Sequence, residues 1–249
     1  MDTVLLLVGL GFVCGVIAST AVSPSLLSFP VLLALGYPPL VANVTNTVGM
    51  AMPTTLGGSL GYRARLKNEG GNAAWLALAG GLGGAAGGGL LLLLGRRAFE
   101  IVGPWLLVCA AVLVLAGPWV VRGVFRGREP KGRTAPALAL TFAFSIYGGY
   151  FGAGVGPMLV GAYGLLLRGG VQRANALKVL VVLAGNLAAT IFFAFFGPVD
   201  WDAVLALAAS SIVGGYVGAH TARRMPDWLL RAAVAGSAVV AAVIQLIQR

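Results

Sequence analysis

Apolar runs of the length that a helix needs to cross a bilayer fill most of this 249-residue chain. A helical crossing takes about 20 apolar residues. Blocks that meet this requirement lie at roughly 39–62, 73–95, 99–121, 174–197, 203–222 and 229–247. Only 10% of the residues are charged, against roughly 25% in an average soluble domain. So little charge cannot cover the surface of a water-soluble protein, which excludes a soluble enzyme, a nucleic-acid binder and a disordered chain.

Two further apolar blocks, residues 4–36 and 136–168, are too long for one ordinary crossing, and each is interrupted near its middle. The first is interrupted by Ser-Thr-Ala-Val-Ser-Pro-Ser at 19–25, and the second by a glycine-rich stretch at 148–157. Proline and clustered glycine end helices. In lipid, the backbone groups that such a break frees must be covered by protein or by a water-filled cavity. We therefore predict that each block is a broken helical hairpin, either re-entrant or short-spanning.

The distribution of basic residues favours hairpins over single crossings. If both blocks turn back, 13 of the 17 lysines and arginines lie on one side, three on the other, and Lys178 stays within a span. The larger group is Arg63, Arg65, Lys67, Arg122, Arg126, Arg128, Lys131, Arg133, Arg168, Arg173, Arg223, Arg224 and Arg231, and the smaller is Arg96, Arg97 and Arg249. With single crossings the split is about nine against seven, which is no bias. Because basic residues favour the cytoplasmic side, we predict a multi-pass protein of the inner (cytoplasmic) membrane with both termini outside.

The same layout predicts an internal repeat. Residues 1–121 and 135–249 each read as a broken hairpin followed by three spans, joined by a basic cytoplasmic linker at 122–134. Residues 42–46 align with 174–178, and 83–87 with 214–218. Because three crossings per half is an odd number, the halves are oppositely oriented. The predicted fold is an all-α polytopic membrane protein made of two inverted repeats, an architecture typical of secondary transporters.

Several of these segments resemble the TauE/SafE sulfite exporter family, also known as the 4-toluene sulfonate uptake permease family. The resemblance rests on Pro30 and residues 36–46 in the first half, and on 148–157, 169–178 and Asn186 in the second. It implies a transporter of small anions, mainly sulfite, sulfonates and related organosulfur acids. The first break departs from the family because serine and threonine stand where many relatives carry a denser run of glycine, which implies a differently shaped pocket.

The two breaks supply the first candidate binding residues. A small oxyanion crossing lipid needs hydrogen-bond donors and positive potential, and the N-terminus of a half-helix provides both. The predicted contributors are Ser23, Ser25, Gly152, Gly154 and Gly156. The alternative is that these small residues only allow membrane helices to pack closely.

Polar residues inside the spans supply the rest. Lys178 lies within a span, with Asn175 one turn before it and Asn186 two turns beyond, a stripe that can line an anion path. The repeat places Asn46 opposite Lys178 and Thr54 opposite Asn186. With Asn46, residues Asn43 and Thr45 complete the predicted substrate site. Two alternatives remain open: Lys178 extends its ammonium to the membrane surface, and the amides only bond neighbouring helices.

The expected function is export of sulfite or a related sulfonate anion. All seven acidic residues fall in loops or at predicted span ends, whereas a proton-coupled carrier usually needs an acid or histidine within the membrane. The expected partners are a small anion and the lipid bilayer, with a homo-oligomer left open and no nucleic acid. A lone His220 and two separated cysteines, Cys14 and Cys109, predict neither an enzyme, a metal site nor a cofactor. The alternatives are an uptake permease for sulfonates or other organic anions, and a membrane subunit that transports nothing by itself.

Overall fold

The computed structural model describes residues 2–18, 25–61, 66, 69–125 and 132–221, and within these ranges the chain is helical with no strand. The elements are α1 (Asp2–Ala18), α2 (Ser25–Ala34), α3 (Pro39–Asn46), a π-helical segment (Thr47–Ala51), α4 (Met52–Gly61), α5 (Gly70–Phe125), α6 (Thr134–Tyr150), α7 (Val155–Leu166), α8 (Gly170–Phe196) and α9 (Trp201–Thr221). The predicted all-α class is confirmed, and the apolar character of the helices fits a membrane protein.

The predicted blocks correspond closely to the observed helices. The span predicted at 39–62 is α3, the π segment and α4 in one continuous run, while 174–197 and 203–222 are α8 and α9. The spans at 73–95 and 99–121 are the two arms of α5 (70–94 and 96–125), which meet at Gly95, where φ is +68°. The span predicted at 229–247 lies outside the described residues.

The second broken block forms a hairpin. Its two helices, α6 and α7, are separated by residues 151–154. The backbone N–H of Arg133, just before α6, donates to the carbonyl of Leu166 at the end of α7 over 2.9 Å. The chain therefore leaves this block at the end where it entered. In the first block, α1 and α2 flank residues 19–24, which lie outside the described part of the chain.

By length and composition, two helical stretches are long and apolar enough to cross a membrane, Gly71–Gly117 and Gly170–Phe196, with several shorter apolar helices beside them. The outer surface of the helices carries many large apolar side chains. For example, Leu93 is 86% exposed and Phe195 is 77% exposed. Water would make such a surface unfavourable, whereas lipid tails accommodate it.

The helices fall into two sets that run in opposite directions. In one set, α6 and α8 run parallel to the first arm of α5, because Gly80, Gly84 and Gly88 of α5 meet successively later residues of α8. These three helices begin at one end of the molecule, where Arg133, Arg168 and Arg173 also lie, and we name it the basic end. In the other set, α1 and the α3–α4 run lie parallel to α9. They begin at the opposite, acidic end, beside the acidic residues of the loop before α9 and its first turn.

The close contacts within one set match those within the other. A methyl group added to Gly87 of α5 would overlap the carbonyl oxygen of Ile146 in α6, and one added to Gly214 of α9 would overlap the carbonyl oxygen of Phe12 in α1. Two further contacts of the first set have a match in the second. The contact of Gly84 with Gly149 matches that of Ser211 with Gly15, and the contact of Gly80 with Val181 matches that of Leu207 with Gly49.

These pairs refine the sequence alignment of the halves. Gly49 and Val181 occupy equivalent places in the two sets, and they are the same number of residues apart as the segments 42–46 and 174–178 that the sequence aligns. For the glycines, the contacts of Gly87 match those of Gly214, whereas the predicted alignment pairs Gly87 with Gly218, one helical turn away.

Candidate functional site: polar residues around two broken helices

The short helix α2 contributes a buried serine to the polar residues of the first half. The hydroxyl of Ser28 donates a short hydrogen bond to the side-chain carbonyl of Asn46 on α3, and both residues are buried. Ser25, in the first turn of α2, is also buried. The predicted residue Ser23 lies outside the described part of the chain. Asn46 is thus held by the half-helix of its own half.

Asn43 links the first half to the break in the second. Its side-chain nitrogen donates to the backbone carbonyl of Tyr150 over 2.9 Å. Tyr150 is the last residue of α6, and carbonyls at the end of a helix have no partner within the helix. Asn43 therefore caps α6 where the chain breaks. Its side-chain oxygen is buried and has no hydrogen-bond partner among the described residues.

The break between α6 and α7 depends on two glycines in the left-handed region. Gly152 has φ +84° and Gly154 has φ +82°, a conformation that other residues adopt only at a cost in strain. Gly154 also packs closely, because a methyl group there would lie 3.1 Å from Cα of Ala110 in the second arm of α5. It is the residue before α7 and makes no side-chain cap, so the first N–H groups of α7 keep their hydrogen-bonding capacity.

Lys178 lies beside the start of α7. Its Cδ is 3.4 Å from the position that a methyl group would take on Gly156, in the first turn of that helix. Since α8 begins at Gly170, Lys178 is about 12 Å along the helix from its start. The predicted span began at residue 174, so Lys178 lies about one turn deeper than predicted. Within the described residues its ammonium group forms no ion pair. A cation and the positive end of a broken helix therefore meet at one place.

Asn186 connects α8 to the π-helical segment. Its side-chain nitrogen donates to the hydroxyl of Thr55 over 3.0 Å and to the carbonyl of Ala51 over 3.3 Å. The Thr55 hydroxyl donates to the same carbonyl. A π turn interrupts the regular i→i−4 pattern and is frequent at functional sites. Here Asn186 and Thr55 satisfy a carbonyl at the end of that turn.

The space between these groups is small. A cavity of about 10 Å³ lies between the broken hairpin and α8, bordered by Ser145, Gly148, Val155, Val181, Gly185 and Asn186. About 10–15 Å³ is the minimum for one water molecule. This cavity therefore has no space for an anion.

The structure brings only some of the predicted residues together. Gly156 and Lys178 touch, and Asn186 borders the small cavity beside the same break. Thr45 lies elsewhere, because its hydroxyl accepts a bond from the backbone nitrogen of Asp200 at the acidic end over 3.1 Å. Asn175 is partly buried and makes no hydrogen bond within the described residues. No hydrogen bond or ion pair in the described part of the chain joins Asn46 to Lys178.

Sequence reasoning missed two side chains. Ser28 is one turn beyond Ser25 on α2 and shares its face, a spacing that could have identified it. Thr55 was passed over in favour of Thr54, whose hydroxyl instead bonds the carbonyls of its own helix. The local sequence does not predict the π turn, and it is this turn that places Thr55, and not Thr54, next to Asn186.

Comparison with known proteins gives consistent matches over nearly the whole chain. The family model described as sulfite exporter TauE/SafE matches residues 7–244. A protein of Haemophilus influenzae named "probable membrane transporter protein" is 28% identical over 236 residues, which cover 93% of this chain and 89% of that protein. A Sinorhizobium protein named "probable membrane transporter protein ORF9" is 25% identical over 214 residues, 85% of this chain and 80% of its own length. No solved structure matches the chain.

Proposed function

Because this chain belongs to the sulfite exporter TauE/SafE family of membrane transporters, we propose that it exports sulfite or a related sulfonate anion. The transport is secondary, and the chain is a multi-pass protein of the cytoplasmic membrane with its basic end inside. The anion binds near the middle of the membrane, between the half-helices of the two repeats.

One observation carries this proposal: the side chain of Lys178 lies against Gly156 in the first turn of α7. An oxyanion there would receive backbone N–H donors and the positive end of the helix dipole. It would also receive the lysine charge, and a hydrogen bond to a charged group is stronger than one between neutral groups. The position of Gly156 matters because the absence of a side chain lets the lysine and an anion approach the helix backbone closely.

The two helix sets of opposite direction support an inverted repeat. Secondary transporters built in this way bind substrate where the repeats meet and expose it to each side in turn. Asn43 contributes to that meeting point, since it reaches from the first half to the last carbonyl of α6. In this reading the small central cavity belongs to an occluded conformation, and the site opens when one set moves relative to the other.

The charges of the spans favour export of an anion. Among the side chains that the structure describes, the acidic ones lie in loops or near helix ends, at positions 69, 100, 200 and 202. A proton relay would need such a group at depth. Export of an anion needs none, because an inside-negative potential supplies about 2.3 kcal/mol per charge per 100 mV.

Flux into and out of proteoliposomes tests the proposal. Purified protein reconstituted alone should release internal sulfite faster when the interior is made negative. Lys178→Met removes the charge with little change in side-chain length, and apparent sulfite affinity should fall about 10-fold or more. Lys178→Arg should keep part of the affinity, because charge survives while geometry changes. Arg96→Gln is the control, since Arg96 pairs with Glu100 on an exposed surface at the acidic end.

Three outcomes contradict parts of this reading. Wild-type protein that moves no anion is a non-transporting subunit. Flux that proceeds only inward against the potential, coupled to another ion, identifies an uptake permease. A folded Lys178→Met variant with unchanged sulfite affinity removes Lys178 from the site and leaves it as a residue that reaches the membrane surface.

A further inference from the structure

A second cavity in the described part of the chain lies at the basic end, away from the small cavity beside Asn186. Its volume is about 130 Å³, and its lining includes Asn72, Leu76, Thr134, Arg168, Arg173 and Leu177. We name this cavity the vestibule. It is about ten times the minimum for a single water molecule, so a small polyatomic ion fits.

We propose that the vestibule is a second oxyanion site, which receives the transported anion before it reaches Lys178. This inference rests on the proposed function. The two arginines supply planar guanidinium groups, whose N–H donors match the paired oxygens of an oxyanion. The Asn72 amide and the Thr134 hydroxyl add neutral hydrogen-bonding groups.

The fold concentrates positive potential at the vestibule. Asn72, Thr134 and Arg173 stand in the first turns of α5, α6 and α8, so all three helices begin there. The residues preceding α6 and α8 make no side-chain cap. Helices α6 and α8 therefore add N–H donors to the charge of the arginines, and all three helices add the positive end of their dipole.

Arg173 already holds a carboxylate that an incoming anion would replace. Its Nε is 2.7 Å from Oε2 of Glu69, and one terminal nitrogen donates to the carbonyl of Arg168 over 2.6 Å. The Glu69 side chain is only 10% exposed and that of Arg173 only 29%. A guanidinium carries five N–H donors, so these two contacts leave donors for a ligand. Glu69 and the anion nevertheless compete for the same positive charge.

Lys178 lies farther along α8 than the vestibule does, counted from the basic end. Leu177, which borders the vestibule, directly precedes Lys178 in α8. From Arg173 to Lys178 is five residues, a rise of about 7.5 Å along the helix. An anion that leaves Arg173 for Lys178 thus moves about 7.5 Å deeper, from one positive charge to the next. Glu69 then returns to Arg173, which prevents the arginine from retaining the anion.

Calorimetric titration of sulfite tests this site in nanodiscs of zwitterionic lipid. The Lys178→Met variant serves as the parent, so that the central site does not contribute. We expect the parent to retain a sulfite isotherm. Arg173→Gln in that parent should weaken the affinity about 10-fold or more, whereas Glu69→Gln should strengthen it by removing the competing carboxylate. Arg96→Gln should change nothing, although it breaks an ion pair of the same kind, Nε to carboxylate at 2.6 Å.

The opposite signs of the two variants separate binding from folding. If the Arg173–Glu69 pair only stabilises the fold, both variants lower the melting temperature and neither shifts sulfite affinity in the expected direction, which overturns the proposal. Loss of all binding in the Lys178→Met parent overturns it as well. Nanodiscs of anionic lipid distinguish a soluble ion from a lipid headgroup. An isotherm that survives there supports the soluble ion, and one abolished there but present in zwitterionic discs assigns the vestibule to lipid.

Flux measurements, compared with the binding measurements, show whether the vestibule proposal or the transport proposal has failed. If wild-type protein transports sulfite but Arg173→Gln and Glu69→Gln leave the binding unchanged, the vestibule proposal alone fails. If the two variants shift sulfite affinity in opposite directions while no flux occurs, the vestibule stands and the transport proposal fails.

Discussion

A close backbone contact in the set that holds Lys178 passes through Gly84, and replacing that glycine by alanine tests how the set is held together. A methyl group on Gly84 would lie 2.5 Å from Cα of Gly185 in α8. The other side of the helix is equally close, because a methyl group on Gly149 of α6 would lie 2.8 Å from Cα of Gly84. The first arm of α5 is therefore packed backbone to backbone against two neighbours.

The size of the effect follows from these distances. A normal carbon–carbon contact is roughly 3.5 Å, so α5 and α8 must separate by about 1 Å to admit the methyl group. The atoms in the way belong to the backbone of Gly185 and cannot rotate away as a side chain could. When the two helices separate, the neighbouring contacts between them loosen as well. Overpacking of this kind costs about 1–3 kcal/mol, and we expect the upper end. Alanine returns about 0.5–1 kcal/mol through its better helix propensity, which leaves a net loss of about 2 kcal/mol.

Gly81 provides a matched control in the same helix. The nearest atom to a methyl group there is the carbonyl oxygen of Ala184, at 3.8 Å, so the methyl group fits. Gly81→Ala should therefore stabilise the protein by about 0.5–1 kcal/mol. The assay is the free energy of unfolding, obtained by far-ultraviolet circular dichroism in mixed micelles with increasing sodium dodecyl sulfate. The packing argument is refuted if Gly84→Ala proves as stable as Gly81→Ala.

Three further predictions concern the hydrogen bond between Asn186 and Thr55, the acidic end and the orientation in the membrane. Asn186→Leu should cost about 1 kcal/mol in the same unfolding assay, because Thr55 still satisfies the carbonyl that Asn186 shares; an unchanged free energy would contradict this. At the acidic end, the pKa of Tyr37 is raised from 10.0 to about 12, mainly because the side chain is partly removed from water and also because its hydroxyl donates a 3.0 Å hydrogen bond to Asp200. Its contribution to stability should be complete below pH 10 and lost as the pH rises toward 12, and melting temperatures of wild type and Tyr37→Phe should converge over that range. A cysteine placed at position 2 should react with an impermeant reagent on intact cells, and labelling only after permeabilisation would reverse the predicted orientation.

Much of the helix pattern could be predicted because local chemistry determines it. The chain breaks near Gly152 and Gly154 since these residues adopt positive φ and no helix continues through them. Helix α3 begins where Pro39 follows another proline, and proline suits the first turn of a helix. Such boundaries depend on neighbouring residues and are therefore visible in one sequence.

Contacts between distant segments could not be predicted in the same way. The predicted glycine alignment differs from the match of contacts by one turn because glycines recur at spacings of three and four in this helix, so a shift of four residues again matches glycine with glycine. The bond from Asn43 to Tyr150 joins residues 107 positions apart, and only the folded chain determines it. The ion pair of Glu69 with Arg173 spans 104 positions, and no charge pattern within one helix indicates it.

The π-helical segment has a consequence for how the two halves move. A π turn holds one residue more than an α turn, so beyond Ala51 each position of α4 is displaced by one against α8. The counterpart of Asn186 is then Thr55 and not Thr54, and Thr55 is the side chain that Asn186 binds over 3.0 Å. In a twofold dimer, a residue that touches its own copy lies on the symmetry axis. For the proposed inverted repeat, this bond marks the axis between α4 and α8. If the halves exchange conformations as proposed, displacements grow with distance from this axis, and this pair moves least and serves as the pivot.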